Sequence, residues 1–438
     1  MKKRVLALIM STAMIASVLT ACGGSDETTK TEDKATTTEK TENKDAASDS
    51  SSTTDVSAAT GEIKVWVAEN VVSLTQEKAE AFKAANPEYA GFTVTIEPVG
   101  EGDAAGNMIT DVEGGADIYG FAQDQIARLV SAGALMPLSG DNATFVAEKN
   151  DAGAVGAATV GDTVYAFPIT SDNGYFLYYD KSVVNDPSTL EGIVADCEAA
   201  GKGVYFEINS AWYQTAFFFG TGCELTYDTD SDGNFVGCNV SYASDAGVKA
   251  LKAMINLHKS SAFNNGSNIS NAANVGAIVD GTWDATAAKG IFGDNYACAK
   301  LPTFTVDGET FQMSGFGGFK LLGVKPQTDA AKLQACLALA KYLSDEEVQL
   351  ARFEALGWGP SNLAAQQNEA VKSDEALSAL AEQLAFTIPQ GNYPGDYWTL
   401  GTSLGDSVIA GDYDNASDAD LMAALESFQT SCKSYAGQ

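Results

Sequence analysis

Two periods of apolar and polar alternation run along the chain and mark its elements. Residues 62–67, Glu-Ile-Lys-Val-Trp-Val, alternate at every second position and predict a strand with one buried face. Ser73-Leu-Thr-Gln76 has the spacing of a capping box, and residues 78–85 continue as a helix that Asn86-Pro87 stops. Residues 92–99 predict a second strand, 107–112 a short helix, 116–121 a third strand, and 125–132 a helix closed by Gly133. Further strands are predicted at 164–169 and 175–179. Residues 329–343 form an amphipathic helical pattern, and Ser344-Asp-Glu-Glu347 starts another helix that runs to about 355. Strands alternating with helices imply an α/β fold whose parallel sheets are covered by helices.

The first and last parts of this pattern differ in kind. Met1-Lys2-Lys3-Arg4 is basic and residues 5–19 are mostly apolar, a run that ends too soon for a membrane span and reads as an export signal over 1–21. Leu19-Thr-Ala-Cys22-Gly resembles a bacterial lipobox, which makes Cys22 the expected lipidated N-terminus. Residues 23–60 are almost all small or polar, with nine acidic and four basic side chains. Such a segment cannot bury enough apolar surface to offset its ordering entropy, so 22–60 is expected to be a disordered tether reaching about 35 Å. The remainder, 61–438, is too long for one core and suits two lobes.

Composition narrows the chemistry. Twenty-six basic residues stand against 58 acidic ones, a net charge of −32, which disfavours phosphate backbones and anionic surfaces. The single histidine, His258, leaves no HExxH motif or His-rich zinc site and little room for a Ser-His-Asp triad. No metal and no cofactor is implied. Apart from Cys22 there are six cysteines: Cys197, Cys223, Cys238, Cys298, Cys336 and Cys432. Cys223 and Cys238 flank an acidic turn at 228–233 and are placed for a possible cross-hairpin disulfide, whereas Cys336 falls on the apolar face of a helix, as a free core thiol would. The 228–233 turn opens like a calcium loop, but Asn239 stands where such a loop needs Glu, so a solvated hairpin tip is expected.

Enzyme-like motifs fail on context. Gly401-Thr-Ser403-Leu-Gly405 matches a nucleophile elbow, but His258 precedes it, the wrong order for that triad; a helix segment rich in small residues is the better reading. Gly100-Glu-Gly102-Asp-Ala-Ala105 follows a strand as a dinucleotide loop would, but its two carboxylates would repel a pyrophosphate. Acidic pairs suited to glycoside hydrolysis are plentiful, and none is singled out.

Aromatic residues in loop contexts are more telling: Phe121, Trp212-Tyr213, Trp283, and Tyr393 to Trp398, each beside Gly, Pro, Asn or Asp. A sugar ring has apolar C–H faces, which suit flat aromatic surfaces, and a hydroxyl rim, which suits carboxylates and amides. One aromatic alone signals core packing. Several at predicted strand ends, where open α/β sheets take their ligands, point to a carbohydrate.

The landmarks Ile63-Lys-Val-Trp66, Gly115-Ala-Asp-Ile-Tyr-Gly-Phe121-Ala-Gln-Asp124, Tyr165-Ala-Phe-Pro-Ile169, Leu177-Tyr-Tyr-Asp-Lys181, Asp280-Gly-Thr-Trp283, Leu301-Pro-Thr303, Ala340-Lys-Tyr-Leu-Ser344 and Ile388-Pro389 with Trp398 come in one order over the whole body. In these the chain resembles bacterial extracellular solute-binding proteins of carbohydrate ABC importers, most closely the maltose/maltodextrin-binding type (family 1). The resemblance implies a type II periplasmic-binding-protein-like fold: two α/β lobes, each with a mainly parallel sheet and flanking helices, with ligand in the interlobe cleft. It implies an N-terminal lobe at 61–170 plus 320–366 and a C-terminal lobe at 174–317 plus 370–438. Matching positions suggest Phe121 and Asp124 as stacking and hydrogen-bonding residues, Glu69 as a second polar contact, and Trp212, Trp283 and Trp398 as aromatic platforms. Tyr393, Tyr397 and Trp398 compete for one role, and Asp172 with Asn173 lies near a family acidic contact. Phe121 stands where Trp is frequent, and Gln125 where Arg is common. The implied function is capture without catalysis: an oligosaccharide, with maltooligosaccharides first in view, is delivered to permease subunits by a monomer anchored outside the membrane through Cys22. No nucleic-acid partner is implied. The rivals are a same-fold protein for another oligosaccharide or a non-sugar solute, and an anchored glycan-degrading enzyme.

Overall fold

The computed structural model describes residues 59–230 and 232–437. The export signal, Cys22 and nearly all of the proposed tether lie outside the described residues. Among the described residues no helix is long and apolar enough to cross a membrane.

Two five-stranded sheets organise the body. The first runs in the spatial order Phe92–Pro98, Gly61–Val67, Ile118–Ala122, Lys320–Val324, Ala166–Thr170. Its first three strands are parallel, and Val65 lies opposite Ile118. Lys320–Val324 is antiparallel to both of its neighbours. The sheet is thus mixed, three parallel strands on one side of a single antiparallel strand. Phe92–Pro98 and Ile118–Ala122 each follow a helical crossover, as parallel strands require, whereas Lys320–Val324 comes from far along the chain. Ile63, Val65, Phe82, Ile118, Phe121 and Leu321 share its core.

The second sheet runs Phe263–Asn264, Gly203–Tyr205, Val275–Gly281, Tyr175–Asp180, Tyr296–Ala299. Tyr175–Asp180 is antiparallel to both neighbours. Helices cover both of its faces, so its strands are apolar at successive positions. Tyr175 and Leu177 enter the larger core with Phe206 and Phe217, while Phe176 and Tyr178 pack with Ala285 and Leu380 on the opposite side.

Local chemistry departs from the sequence reading at several ends. The first long helix is Val72–Ala85, begins at Val71 and has no side-chain cap, so Ser73 and Gln76 do not form the expected box. The helix expected at 107–112 is Ala104–Thr110, and that expected at 125–132 is Ile126–Ser131. Asp345, not Ser344, caps Glu346–Leu356 by accepting from the Val348 amide. The helix expected at 329–343 is Ala330–Leu343, with Asp329 as its cap.

All six described cysteines are free. In the hairpin Leu225–Thr229 with Phe235–Val240, Cys238 lies opposite Tyr227, while Cys223 lies before the first strand begins, near Ser244. The two thiols therefore do not face each other. Cys336 is buried, as its helical face suggested. The hairpin tip is not wholly solvated: Ser131 Oγ bonds to Asn234 Oδ1 at 3.2 Å, and a Cβ on Gly233 would sit 2.1 Å from the Ala127 carbonyl oxygen.

Gly401 to Gly405 lies inside the helix Gly395–Ile409, with Ser403 exposed and bonded to its own helix at Thr399. Cβ atoms at Gly401 and Gly405 would both come within 2.3 Å of Ala211 and Asn209 respectively. Small residues here let a helix pack closely on a loop, which accounts for the elbow-like spacing without a nucleophile.

Candidate functional site

A cavity of about 460 Å³ opens where the two sheets meet at strand ends. Ala68 and Asn70 follow the strand Gly61–Val67, Glu101 and Gly102 follow Phe92–Pro98, and Asp124 and Gln125 follow Ile118–Ala122. Lys320 starts the antiparallel strand of the same sheet. From the second sheet, Trp212 and Tyr213 come from the loop after Gly203–Tyr205, and Trp283 follows Val275–Gly281. Gln390 and Trp398 come from the late segment, Asn173 from a connection between the sheets, and Trp358 from just beyond Gly357, whose φ of +83° ends the preceding helix. Loops at the carboxyl ends of parallel strands are where such sheets assemble ligand sites.

The aromatic platforms are held from behind. The Trp212 and Trp283 ring centroids are 5.9 Å apart at 47°. Tyr175 meets the Trp212 ring edge-on at 4.6 Å and Tyr213 does so at 4.9 Å. Trp283 folds back over Gly281, where a Cβ would lie 2.0 Å from the indole; any larger residue would expel the ring. Trp398 lines the cavity and rests on Tyr393 and Tyr397, at 5.5 and 4.9 Å. Of these three, only Trp398 reaches the cavity. Tyr393 and Tyr397 are each 1% exposed, with hydroxyls donating to the carbonyls of Leu225 and Ala211.

Polar groups form a chain across the cleft. Gln390 Nε2 donates to Asp124 Oδ1 at 2.8 Å, and Gln390 Oε1 accepts from Trp212 Nε1 at 3.1 Å. The Tyr393 amide donates to the Asp124 carbonyl at 3.2 Å. Burial raises the Asp124 carboxyl to about 7, against smaller lowering by a backbone hydrogen bond and by the Arg128 charge. Behind Trp283, Asp280 accepts from the amides of Gly281 and Ile269 at 2.7 and 3.2 Å. Burial, followed by the neighbouring Asp284 charge, lifts Asp280 well above the usual carboxylate range.

Other sequence candidates lie outside the lining. Phe121 is fully buried and packs on Tyr119 at 5.7 Å. Its strand position turns it into the core while Ala122 and Asp124 reach the cavity. Glu69 is exposed, and its neighbours Ala68 and Asn70 line the cavity instead. Asp172 is buried beside the cavity and accepts from Thr282 Oγ1 and, at 2.6 Å, from the Gly359 amide, so it ties connecting segments together; the adjacent Asn173 takes the lining position. Sequence reasoning missed Lys320, Trp358 and Gln390. The signals were present: a lone charge in an apolar run at 319–324, a tryptophan between two glycines, and a glutamine directly after the Ile388-Pro389 landmark.

A family model described as bacterial extracellular solute-binding protein matches residues 77–379. The galactooligosaccharide-binding protein of Bacillus subtilis (strain 168) is 24% identical over 340 residues, covering 73% of this chain and 78% of that one. A protein solved with acarbose superposes with a TM-score of 0.74 at 26% identity, covering 86% of this chain and 99% of that one. A maltodextrin-binding protein of L. casei BL23, solved without ligand, has a TM-score of 0.70 at 23% identity over the same shares of the two chains and has the same fold.

Proposed function

The chain belongs to the bacterial extracellular solute-binding proteins, and from that premise we propose that it captures oligosaccharides, maltooligosaccharides foremost, for an ABC importer. The observation that carries this reading is the convergence of Trp212, Trp283 and Trp398 on one cavity that also presents Asp124, Asn173 and Gln390. Indole faces suit the C–H faces of sugar rings, and the amides and carboxyls suit their hydroxyl rims. A cavity of about 460 Å³ falls in the range of small-molecule sites.

The mechanism is binding without chemistry. Sugar touching both sides of the cleft stabilises the closed arrangement by its differential affinity for it. The closed form then docks on permease subunits and releases its cargo. In this reading Trp212, Trp283 and Trp398 are the platforms and Asp124 is a polar contact. The lobes are 61–170 with 320–366 and 174–317 with 370–438. Lipid on Cys22 and a tether over 22–60 hold the protein at the outer face of the cytoplasmic membrane.

A galactooligosaccharide is the second reading, favoured by the Bacillus subtilis relative's name. Tryptophan fluorescence titrated with maltotriose, galactotriose, xylotriose and a peptide mixture tests both. Saturable change with maltotriose supports the first and with galactotriose alone the second. A response to peptides alone, or to nothing, overturns the carbohydrate assignment. Glycan products appearing during incubation would overturn binding without catalysis.

A further inference from the structure

We propose that Lys320 is a specificity-determining contact of this cavity, a donor held ready for an oxygen of the bound saccharide; the inference rests on the oligosaccharide reading above. Two lysines of the same strand region are buried, Lys325 at 9% exposure and Lys320 at 6%. Lys325 is fully engaged: it pairs with Asp117 at 3.7 Å and donates to the carbonyls of Glu113 and Gly115 at 3.0 and 3.3 Å. Lys320 has no such partners. Among the described residues its ammonium makes neither an ion pair nor a hydrogen bond. Its Nζ instead lies over two rings, 4.0 Å from the Trp358 centroid and 5.0 Å from that of Trp283.

Ring faces attract a cation but accept none of its three N–H groups in the way an oxygen does. The ammonium is not sealed from solvent: it stays open to the cavity, and Asp284 feels its charge without an ion pair forming between them. Its N–H groups are therefore available to the space a ligand would fill, where a ligand oxygen can accept from them. A second observation lies in the same corner. Trp358 is 2% exposed, lines the cavity, and its indole Nε1 has no hydrogen-bond partner. The indole therefore serves Lys320 through its ring face, with its N–H turned away from the cavity. Elsewhere in the lining, Gln125 Oε1 is a buried acceptor without a partner. Both of these atoms are sealed from the cavity, so of the three groups it is the Lys320 ammonium that is open to a ligand as a donor. A saccharide can accept from this donor through its hydroxyls and its ring oxygen. The Trp283 ring, shared by Lys320 and Trp212, sets the sugar's face while Lys320 reads its edge.

Calorimetric titration of the full-length protein with maltotriose and with galactotriose tests this, alongside melting of the unliganded protein. Lys320→Met keeps the side chain's length and deletes the charge. The expected result is at least tenfold weaker binding of whichever saccharide the wild type binds, with an unliganded melting temperature unchanged or raised. Lys320→Arg keeps the cation and is expected to bind within about fivefold of wild type. If Lys320→Met does not fold, Lys320→Gln carries the same thresholds. Wild-type binding with the charge-deleted variant within twofold of it overturns the role of Lys320 alone. Wild-type binding of neither saccharide removes the oligosaccharide reading and this inference with it.

Discussion

Gln390 joins Asp124 to Trp212: its amide nitrogen donates to the carboxyl at 2.8 Å while its amide oxygen accepts from the indole at 3.1 Å. One side chain thereby satisfies a buried carboxyl from the first sheet's loops and orients an aromatic platform from the second's. Replacing it leaves both partners unpaired, and a buried group stripped of its partner costs about 1–3 kcal/mol. Gln390→Leu is expected to lower the melting temperature and weaken saccharide binding together. The three residues share one network, so Gln390→Leu combined with Asp124→Leu is expected to cost less than the sum of the single changes. Thermal melts of the four proteins in that cycle check it; full additivity would contradict the network.

Asp124 makes stability depend on pH in a specific direction. Burial raises its carboxyl to about 7, whereas an unfolded aspartate titrates near the ordinary value of about 4. The folded state then binds more protons than the unfolded one between those values, and stability contributed by the protonated form is lost as pH rises from about 4 through 7. Asp124→Asn keeps an acceptor for Gln390 and cannot ionise. It is expected to melt above wild type at pH 8, with the gap shrinking toward pH 5. A difference that grows at acid pH would reverse the assignment.

The three tryptophans are expected to separate from the tyrosines behind them. Trp212→Ala, Trp283→Ala and Trp398→Ala each remove a lining surface and should weaken saccharide binding by about 1–2 kcal/mol, roughly five- to thirtyfold in Kd. Tyr397→Phe deletes a hydroxyl that donates to the Ala211 carbonyl at 3.2 Å in the core. It should lower stability by about 1 kcal/mol and leave affinity nearly unchanged. Titration calorimetry paired with melting distinguishes the two classes.

This division also marks what the sequence could and could not tell. Loop context placed Trp212, Trp283 and Trp398 among the candidates, and the coordinates bring all three to one cavity. Alternation along 62–67 was enough to locate the first strand at Gly61–Val67. What failed was the side from which a residue is viewed. Phe121 and Ala122 are adjacent on one strand and face opposite ways, and the same one-residue ambiguity separates Glu69 from Asn70 and Asp172 from Asn173. Tyr397 and Trp398 were indistinguishable because the face of the helix Gly395–Ile409 that looks into the cleft is set by its packing on Ala211 and Asn209, contacts distant in the chain, and Tyr393, just before that helix, is buried by the same packing. Lys320 showed in the sequence as a lone charge in the apolar run 319–324, but only the coordinates set its ammonium over Trp283 and Trp358.

Ser403 and Gly405 give a direct test of the elbow-like motif. Ser403 is exposed on its helix, so Ser403→Ala should change neither stability nor binding measurably. Gly405→Ala would put a methyl 2.3 Å from the Asn209 Cα and 2.5 Å from the Ile208 carbonyl oxygen. Overpacking of this kind costs about 1–3 kcal/mol. A melting temperature lowered only by the second change supports a packing role for the spacing. Loss of any hydrolytic activity in Ser403→Ala would instead revive the nucleophile.

The hairpin tip offers a way to probe the arrangement of the two sheets without touching the cavity. Gly233 has φ +82°, and a Cβ there would meet the Ala127 carbonyl oxygen at 2.1 Å. Gly222 has φ +91° and open space around it. Alanine at either position incurs the same kind of left-handed backbone strain, about 1 kcal/mol or more. Only at Gly233 does the added methyl also push against the helix Ile126–Ser131, which follows directly on the cavity residues Asp124 and Gln125. Backbone cannot yield as a flexible side chain would, so the hairpin and that helix must move apart. If ligand is held in the arrangement described here, Gly233→Ala should weaken saccharide binding about tenfold while Gly222→Ala leaves it within twofold, at similar melting temperatures. Equal affinities in the two variants would mean that the contact between the tip and Ala127 plays no part in the bound state.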